Sequence, residues 1–526
     1  MKNFTLLLIL INVCQFAVAV PVELNMPQGP IVGSAVEGAA NITVFKGIPY
    51  AVPPVGQRRW TYAEAAPKWA GQRLAQQFGP NCIQASYSDT SFYFRPDFPT
   101  SEDCLYLNVW TGAEAVDEKR PVMVWIHGGA LTRGGGSRAI YDGAALAKKG
   151  VVLVTINYRL GVFGYFAHSQ LSAENAASGN QGVSGNYATT DQVQGLKWVQ
   201  DNIAAFGGDP NNVTIFGESA GSWSVNHLVA TPLAKGLFHK AIGQSGDAMG
   251  AMANLKHEQD GVASAQETGE KFVQAVGVNT IAKLRQLTGE ELLTASNQHR
   301  WQTAAIIDGW VIPDKISRIF SQGKQNTVPV IVGFNSDEGT TLGVLGRVPK
   351  DVAIYEKTVR ARYGSLASEY LQIYPATDLK QSTLDSFRDG FFTWSMQTWA
   401  MHTAKVNQPA YLYYFTHRPS GPQQKELGAY HSAEIRYAFN NVPAGPDYEK
   451  KMGELMSNYW VNFATTGNPN GAISSAKNQT QWQPYTADNR HYIELNAETK
   501  KGATAGKNLL PGIWEFYQKA NGRAPE

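Results

Sequence analysis

The sequence predicts an α/β fold built on a mostly parallel sheet, and two observations lead to it. Five short apolar runs read as strands buried on both faces, a pattern typical of parallel sheets. Helical patterns separate these runs, as in TDQVQGLKWVQDNIA over 190–204, where apolar residues recur at spacings of three or four. The five runs cover 122–127, 151–158, 213–216, 329–334 and 410–415. Ligands of such sheets bind outside the carboxyl ends of the strands.

Length and composition indicate a large globular chain. Of its 526 residues, 43% are hydrophobic and 17% are charged, which favours a packed core over disorder. A net charge of +2 without a basic stripe gives no indication of a nucleic-acid partner or of binding to an anionic membrane. We find no linker rich in proline or serine, so residues 20–526 are predicted to form one domain. No metal-binding motif such as H-E-x-x-H is present, and no metal or cofactor is predicted.

The N-terminus has the features of a secretory signal peptide. Lys2 precedes an apolar run over 4–13, and Ala17, Val18 and Ala19 form a small-residue cleavage site. We therefore predict a signal peptide over 1–19 and a secreted mature chain that begins near Val20. The alternative, a membrane anchor, is disfavoured because the run is too short for a full span. No later segment offers about 18 uninterrupted apolar residues, so no membrane span is expected.

Cysteine usage agrees with export. Cys14 leaves with the signal peptide, and Cys82 and Cys104 are then expected to pair in an oxidising compartment. The mature chain has three N-x-S/T sequons that would be glycosylated only in a source that modifies secreted proteins. They lie at Asn41, Asn212 and Asn478. The sequence does not indicate an oligomeric state.

A serine follows the third apolar run in the motif G-E-S-A-G. Gly217 and Gly221 lie two residues before and two after Ser219, a spacing that suits a tight strand-to-helix turn. Such a turn would expose the hydroxyl at the N-terminus of a helix, where it could act as a nucleophile. The alternative is an ordinary glycine-rich turn. Because glycine accounts for 51 residues, the motif alone does not decide between the two.

Six motifs in chain order extend the pattern beyond this serine. They are FKGIPYAVPPVG (45–56), SEDCLYLNVW (101–110), WIHGGA (125–130), NYRLGVFGY (157–165), FGGDP (206–210) and FGESAG (216–221). Together they closely resemble the type-B carboxylesterase family, a branch of the α/β-hydrolase fold that also holds cholinesterases and some lipases. The resemblance covers nearly the whole mature chain. It implies an α/β-hydrolase fold, and we interpret the polar helical stretches 247–300 and 348–406 as helical cap insertions.

The resemblance implies a catalytic triad in the order serine, acid, histidine. A serine needs an imidazole to take its proton, and the imidazole needs a carboxylate to orient it. By the family's D-E-G motif the acid is Glu338, although residue chemistry alone cannot choose between it and Asp337. By the histidine motif in GAYHSAEI the base is His431, whereas the surroundings of His417 do not match. Glu434 is interpreted as structural.

The same resemblance implies an oxyanion hole formed by the backbone N–H groups of Gly128, Gly129 and Ala220. The chain departs from the common HGGGF form, because Ala130 and Leu131 replace glycine and phenylalanine. Backbone donors do not depend on those side chains, so we expect the hole to be kept. His127 is interpreted as an orienting residue and not as a second base.

The expected substrate is a small to medium uncharged ester. Cholinesterases bind the quaternary ammonium on a tryptophan ten residues before the second cysteine of this loop, where this chain has Phe94, a weaker cation–π partner. No large apolar lid of a lipase is recognisable. We assign Leu131, Phe94 and Trp223 to the substrate pocket. The alternatives are a cholinesterase-like or lipase-like specificity, or a catalytically silent adhesion module, which the intact Ser219, Glu338 and His431 disfavour.

Overall fold

The computed structural model describes residues 21–39, 41–88, 91–93, 98–179, 181–471, 480–498 and 502–521. The predicted signal peptide, Phe94 and Asn478 lie outside the described residues. In the described part of the chain, thirteen strands form one sheet and two further strands form a small second sheet.

The strands follow one another along the chain in this order: β1 (Pro21–Met26), β2 (Gly29–Ala35), β3 (Thr43–Pro49), β4 (Arg73–Leu74), β5 (Asn81–Cys82), β6 (Thr100–Ser101), β7 (Tyr106–Thr111), β8 (Arg120–Ile126), β9 (Val152–Ile156), β10 (Gly208–Glu218), β11 (Lys240–Gln244), β12 (Val330–Asn335), β13 (Ala410–Phe415), β14 (His491–Asn496) and β15 (Gly502–Lys507). The five strands predicted from the sequence are, in chain order, β8, β9, β10, β12 and β13.

The α-helices are α1 (Ala144–Lys148), α2 (Gly161–Gly164), α3 (Ser169–Ala177), α4 (Tyr187–Asn202), α5 (Ala220–Ala230), α6 (Ala265–Ala275), α7 (Ile281–Leu284), α8 (Gly289–Gln298), α9 (Ile316–Ser321), α10 (Val352–Tyr363), α11 (Ala367–Ile373), α12 (Leu379–Arg388), α13 (Trp394–Lys405), α14 (Gln424–Leu427), α15 (Ile435–Ala438), α16 (Asp447–Thr466) and α17 (Ile513–Asn521). The helix predicted over 190–204 is α4, and a π-helical turn over Asp389–Thr393 joins α12 to α13.

The sheet is mostly parallel, as predicted. Its strand order is β1-β2-β3-β7-β9-β8-β10-β11-β12-β13-β14-β15, and β4 pairs with β2. Every neighbouring pair from β9 to β14 is parallel. Antiparallel pairs close the two ends, from β1 to β9 on one side and between β14 and β15 on the other. The carboxyl ends of β8, β10 and β12 therefore meet at one edge, which is where the predicted site residues follow them.

Both faces of the sheet are buried, which explains the continuous apolar runs. In β8, Val122, Val124 and Ile126 belong to the core that contains residues of α4 and α5. Met123 and Trp125 point to the other face and belong to the core that contains residues of α16. Because side chains alternate across a strand, a strand covered on both sides is apolar at most positions.

The two stretches interpreted as caps are largely helical. Residues 247–300 contain α6, α7 and α8, and residues 348–406 contain α10 to α13. At the start of α8, Thr288 and Glu291 form a reciprocal capping box that satisfies the first backbone N–H groups of the helix. Their assignment as cap insertions of one domain stays a prediction. Within the described residues, no helix is long and apolar enough to cross a membrane.

Candidate active site

Ser219 lies at a sharp turn between β10 and α5. Its backbone has φ 56° and ψ −124°, and its N–H donates to the carbonyl of Gln244 at 2.8 Å. A Cβ on Gly221 would lie 2.0 Å from the carbonyl oxygen of Ile126, and one on Gly217 would lie 2.6 Å from the backbone of Gly221. Only glycine fits at these two positions, so the G-x-S-x-G spacing is what permits the strained turn.

His431 and Glu338 meet beside this turn. The Nδ1 atom of His431 lies 2.6 Å from Oε2 of Glu338, and both side chains are buried. The other oxygen of Glu338 accepts the backbone N–H of Asn335 at 2.8 Å, which fixes the carboxylate. Asp337 faces elsewhere, because its carboxylate accepts the N–H of Ala429 at 2.9 Å. Of the two adjacent acids that residue chemistry left open, Glu338 is the one that contacts His431, and its role as the triad acid stays a prediction.

The loop after β8 packs against the serine. A Cβ on Gly128 would lie 3.1 Å from Cβ of Ser219, and Gly129 adopts φ 111°. Ala130 and Leu131 have φ of 56° and 60°, a region that favours glycine. The HGGGF form with glycine at position 130 relieves this strain, whereas this chain tolerates it beside the site.

His127 is held as a neutral, orienting side chain. It is buried, its ring stacks on Tyr158 at 4.4 Å, and its Nδ1 lies 2.9 Å from the carbonyl oxygen of Gly128. Burial lowers the pKa of His127 to about 4, so the ring carries no charge near neutral pH. These contacts agree with the interpretation that His127 supports the glycine loop.

Comparison with known proteins decides the family. The model of the carboxylesterase family matches residues 20–511. The chain belongs to the carboxylesterase family. It is 35% identical to the medium-chain fatty acyl-CoA hydrolase precursor of Anas platyrhynchos, over 91% of this chain and 88% of that protein. It is 34% identical to the para-nitrobenzyl esterase of Bacillus subtilis, over 86% of this chain and 91% of that protein.

Solved structures agree. A carboxylesterase from Geobacillus stearothermophilus superposes with a TM-score of 0.79 at 30% identity, covering 94% of this chain and all of that one. A para-nitrobenzyl esterase superposes with a TM-score of 0.77 at the same identity. The α/β-hydrolase fold and the assignment as a carboxylic ester hydrolase are therefore confirmed.

A cavity of about 770 Å³ opens onto the serine of this carboxylesterase. Ser219, His431, Gly128 and Gly129 lie in its wall. Aromatic side chains from the loop between Cys82 and Cys104 form much of the rest, namely Tyr87, Phe92, Tyr93 and Phe98. Such a concave space with convergent polar groups is typical of a small-molecule site.

Of the residues assigned to the pocket from the sequence, two can be located. Leu131 is buried in the glycine loop. Trp223 is half-buried one turn into α5, where its backbone N–H donates to the carbonyl of Ser219 at 3.0 Å. Neither lines this cavity, and Phe94 is outside the described residues. Their role in binding substrate stays a prediction.

Three buried glutamates surround His431 in the esterase. Besides Glu338, the Oε1 atom of Glu218 lies 3.2 Å from Nε2 of the ring, and Glu434 follows His431 three residues later along the chain. Burial lowers the pKa of His431, but Glu218 and Glu338 outweigh it and raise the value to about 9. Burial also raises the pKa of Glu218 above its usual range and that of Glu434 to about 8. Sequence analysis missed Glu218, although it directly precedes the serine in the motif.

Glu434 is tied to two neighbouring strands, and the interpretation that it is structural stays a prediction. Its two oxygens accept hydrogen bonds from the side-chain amides of Gln244 at 3.0 Å and Asn335 at 2.6 Å. These two residues end β11 and β12, so Glu434 connects the histidine loop to both strands.

The predicted disulfide is present, with Cys82 and Cys104 joined at a Cα separation of 4.9 Å. Of the sequons, Asn41 is exposed, whereas the side chain of Asn212 donates to the carbonyl of Thr465 at 3.2 Å and would have to release it on glycosylation. Asn478 is outside the described residues. No group of three His, Cys, Asp or Glu side chains in the described ranges is arranged to hold a metal ion.

Proposed function

We propose that this carboxylesterase is exported and hydrolyses small to medium esters through an acyl-enzyme intermediate on Ser219. The observation that supports this most is the buried contact of His431 with Glu338 beside a serine held on a strained strand-to-helix turn. That arrangement supplies a nucleophile, a base and a group that orients the base, which is what acyl transfer by a serine requires.

In the first half-reaction, Oγ of Ser219 attacks the ester carbonyl carbon while Nε2 of His431 takes the hydroxyl proton. The electron pair of the carbonyl moves to oxygen, and the oxyanion accepts hydrogen bonds from the backbone N–H groups of Gly128, Gly129 and Ala220. When the tetrahedral intermediate collapses, the bond to the alcohol oxygen breaks. His431 returns its proton to that oxygen, and the alcohol leaves an acyl group on the serine.

In the second half-reaction water replaces the alcohol. His431 takes a proton from water, the resulting hydroxide attacks the acyl carbon, and the proton then passes to Oγ as the acid leaves. In each step the imidazole becomes a cation while Glu338 accepts the hydrogen bond of Nδ1. Glu218 lies 3.2 Å from Nε2 and would stabilise the same cation from the other side.

Export is the second part of the proposal. It rests on the apolar segment and A-x-A site within residues 1–19 and on the Cys82–Cys104 disulfide, which persists in oxidising compartments. N-terminal sequencing of the protein expressed with its full leader in a secreting host would test it. We expect the mature chain to start near Val20, and an intact leader on protein retained inside the cell would contradict export.

The activity test is a hydrolysis panel on the purified mature chain. It compares p-nitrophenyl acetate, butyrate, octanoate and palmitate, and sets butyrylcholine against its uncharged analogue 3,3-dimethylbutyl butyrate. We expect turnover of the short and medium chains and no preference for the charged choline ester. Palmitate as the best substrate would indicate a lipase-like specificity, and preference for butyrylcholine a cholinesterase-like one.

Ser219→Ala is the decisive variant, and Ser321→Ala, on the exposed end of α9, is its matched control. We expect the first to lose nearly all activity while it stays folded, and the second to resemble the parent. A phosphonate ester that traps serine nucleophiles should add its mass to the peptide that contains Ser219. Activity retained in Ser219→Ala would overturn the assignment, and a folded parent that cleaves no ester would favour the silent-module alternative.

A further inference from the structure

Three arginines lie in the wall of the cavity that opens onto Ser219. They are Arg133 in the glycine loop, Arg138 just after it and Arg436 in α15, and each is half-buried. They come from regions about 300 residues apart along the chain, so the fold alone brings them to one cavity. Because a guanidinium is always charged and presents several N–H donors, three of them give the wall a strong positive character.

Two of these arginines pack against the same aromatic ring. The guanidinium carbon of Arg133 lies 4.8 Å from the centre of the Tyr87 ring, and that of Arg138 lies 6.0 Å from it. Arg133 also donates through Nε to the carbonyl of Ala85 at 2.9 Å. The ring contacts both cations and the carbonyl binds Arg133, so the disulfide-closed loop holds them without neutralising their charge.

The third arginine is held beside the histidine. Nη2 of Arg436 donates to the hydroxyl of Tyr430 at 2.8 Å, and Tyr430 directly precedes His431 in the chain. The ring of Tyr430 packs on Phe92 at 4.9 Å, which connects it to the same disulfide loop. Arg436 therefore lies in the same cavity wall as the pair at Tyr87 and is held next to the histidine loop.

The charges of these arginines are not balanced by carboxylates, unlike those of arginines elsewhere in the molecule. Arg159 pairs with Asp191 at 2.6 Å, and Arg388 pairs with two aspartates. In contrast, none of the ion pairs among the described residues includes Arg133, Arg138 or Arg436. No carboxylate oxygen of the described residues therefore lies within 4 Å of their guanidinium nitrogens.

One carboxylate does belong to the described wall, and it is committed elsewhere. The Oε1 atom of Glu218 lies 3.2 Å from Nε2 of His431. The same oxygen accepts a hydrogen bond from the hydroxyl of Ser432 at 2.7 Å. Three cations therefore face one anion, whose close partners are His431 and Ser432 and on which the charge of Arg138 also acts without an ion pair. An empty, partly desolvated wall of this kind gains most from a ligand that brings negative charge.

We propose that the cavity selects esters that carry an anionic group, such as a free carboxylate, in the half of the molecule that fills it, and that Arg133, Arg138 and Arg436 bind this group. The inference rests on the proposed function, since it names the class of ester that the same site prefers. The expectation from sequence was that the favoured ester is uncharged. The inference replaces it: uncharged esters are hydrolysed, and anionic esters are hydrolysed better.

The test compares two matched pairs of esters. In the first, mono-p-nitrophenyl glutarate carries a carboxylate in its acyl half, and its methyl ester is the neutral control. In the second, 4-(butyryloxy)benzoate carries a carboxylate in its alcohol half, and its methyl ester is again the control. We expect one pair to show kcat/KM at least about tenfold higher for the anion, and the pair that does so identifies the half that enters the cavity. Because exposed charges are screened by salt, the ratio should shrink in 0.5 M NaCl.

Variants assign the effect to the arginines. Arg138→Gln and Arg436→Gln should each reduce the anion-to-neutral ratio by about fivefold or more, whereas Arg138→Lys, which keeps the charge, should retain most of it. Arg360→Gln is the matched control, since it removes the same charge from an exposed pair with Glu356 on α10, far along the chain from the site. Thermal unfolding of every variant verifies that it is folded.

Three results would overturn the inference. The first is a ratio near or below one in both pairs, which leaves the proposed function intact as long as the neutral esters are hydrolysed. The second is an anion preference that survives in both glutamine variants, which would place its origin outside these arginines. The third is the absence of hydrolysis of any ester by the folded parent, which would remove the proposed function together with this inference.

Discussion

Two buried ion pairs of equal length have different neighbours and different roles. Arg159 and Asp191 approach to 2.6 Å, and so do His431 and Glu338. All four side chains are almost completely shielded from solvent. Burying a charge is costly in both places, so the contacts around each pair determine whether the charge is fixed or can change.

The Arg159–Asp191 pair is balanced. Nε and Nη2 of the arginine donate to the two oxygens of Asp191 at 2.8 and 2.6 Å, and Nη1 donates to the carbonyl of Thr61 at 2.8 Å. Burial acts to lower the pKa of Arg159, but Asp191 outweighs it, and the net effect is a raised pKa. One cation meets one anion with complete hydrogen bonding, so the pair stays charged and fastens α4 to the end of β9.

The His431 pair is unbalanced. One imidazole faces Glu218 and Glu338 directly and Glu434 further away. These carboxylates raise the pKa of His431, and burial raises the pKa of Glu218 and that of Glu434. The single positive charge that His431 can carry therefore faces more than one carboxylate. A buried cation paired with one anion keeps its charge and holds two elements together. A buried imidazole that faces several carboxylates can instead gain or lose its proton, which acid–base catalysis requires.

The largest expected effect comes from removing the carboxylate of Glu338, which we propose orients the base. Glu338→Gln keeps the shape of the side chain but cannot hold the imidazole in its productive tautomer, so we expect kcat to fall by about 10⁴-fold with little change in stability. Asp337→Asn is the matched control, since its carboxylate accepts the Ala429 N–H and does not contact His431. Steady-state kinetics on p-nitrophenyl butyrate measure both, and equal losses in the two variants would argue against the assignment of the acid.

The matching change in the balanced pair should affect folding instead. Asp191→Asn leaves the Arg159 charge buried without its partner, and we expect the free energy of unfolding to fall by about 3 to 5 kcal/mol. Glu356→Gln, in an exposed pair with Arg360, should cost about 0.5 kcal/mol or less. Urea unfolding measures both. A stable Asp191→Asn protein that had lost kcat would show that this pair belongs to the catalytic machinery after all.

The pH dependence of the parent probes the unbalanced pair. His431 must be neutral to take the serine proton, and its pKa is raised to about 9, so kcat/KM should decline as pH falls through that region. The decline should approach tenfold per pH unit below the midpoint. A pH series on p-nitrophenyl butyrate, with stability checked at each pH, gives the midpoint. A profile that is flat from about pH 8 to 5 would rule out His431 as the base.

How far the sequence predicts this molecule depends on whether a feature is local. The strands β8, β9, β10, β12 and β13 were predicted because burial on both faces leaves continuous apolar runs. The strand β11 was missed, since its five residues, KAIGQ, begin and end with polar side chains. Lys240 and Gln244 are buried there through contacts that only the tertiary structure provides, Gln244 with Glu434 and the Ser219 turn.

The candidate site also contains one part that local sequence predicts and other parts that depend on the tertiary structure. The turn around Ser219 could be derived from two glycines, but choosing Glu338 over Asp337 needed a family motif, because the choice depends on where the chain places each carboxylate. The arginine wall was not predicted at all. Arg133, Arg138 and Arg436 look like ordinary surface charges in sequence, and their meeting depends on loops that follow different elements of the fold.

The smallest expected effect tests whether Glu434, which lies further from the ring, contributes to the raised pKa of His431. Glu434 is among the carboxylates that raise the pKa of His431, after Glu218 and Glu338 in strength. In Glu434→Gln the amide oxygen can keep one of the two hydrogen bonds from Gln244 and Asn335 while the negative charge is gone. The acidic limb of kcat/KM should therefore move to lower pH by less than about one unit, and Glu426→Gln, exposed on α14, should not move it. No shift would mean that Glu434 is held protonated and carries no charge, so that the raised pKa of His431 would rest on Glu218 and Glu338 alone.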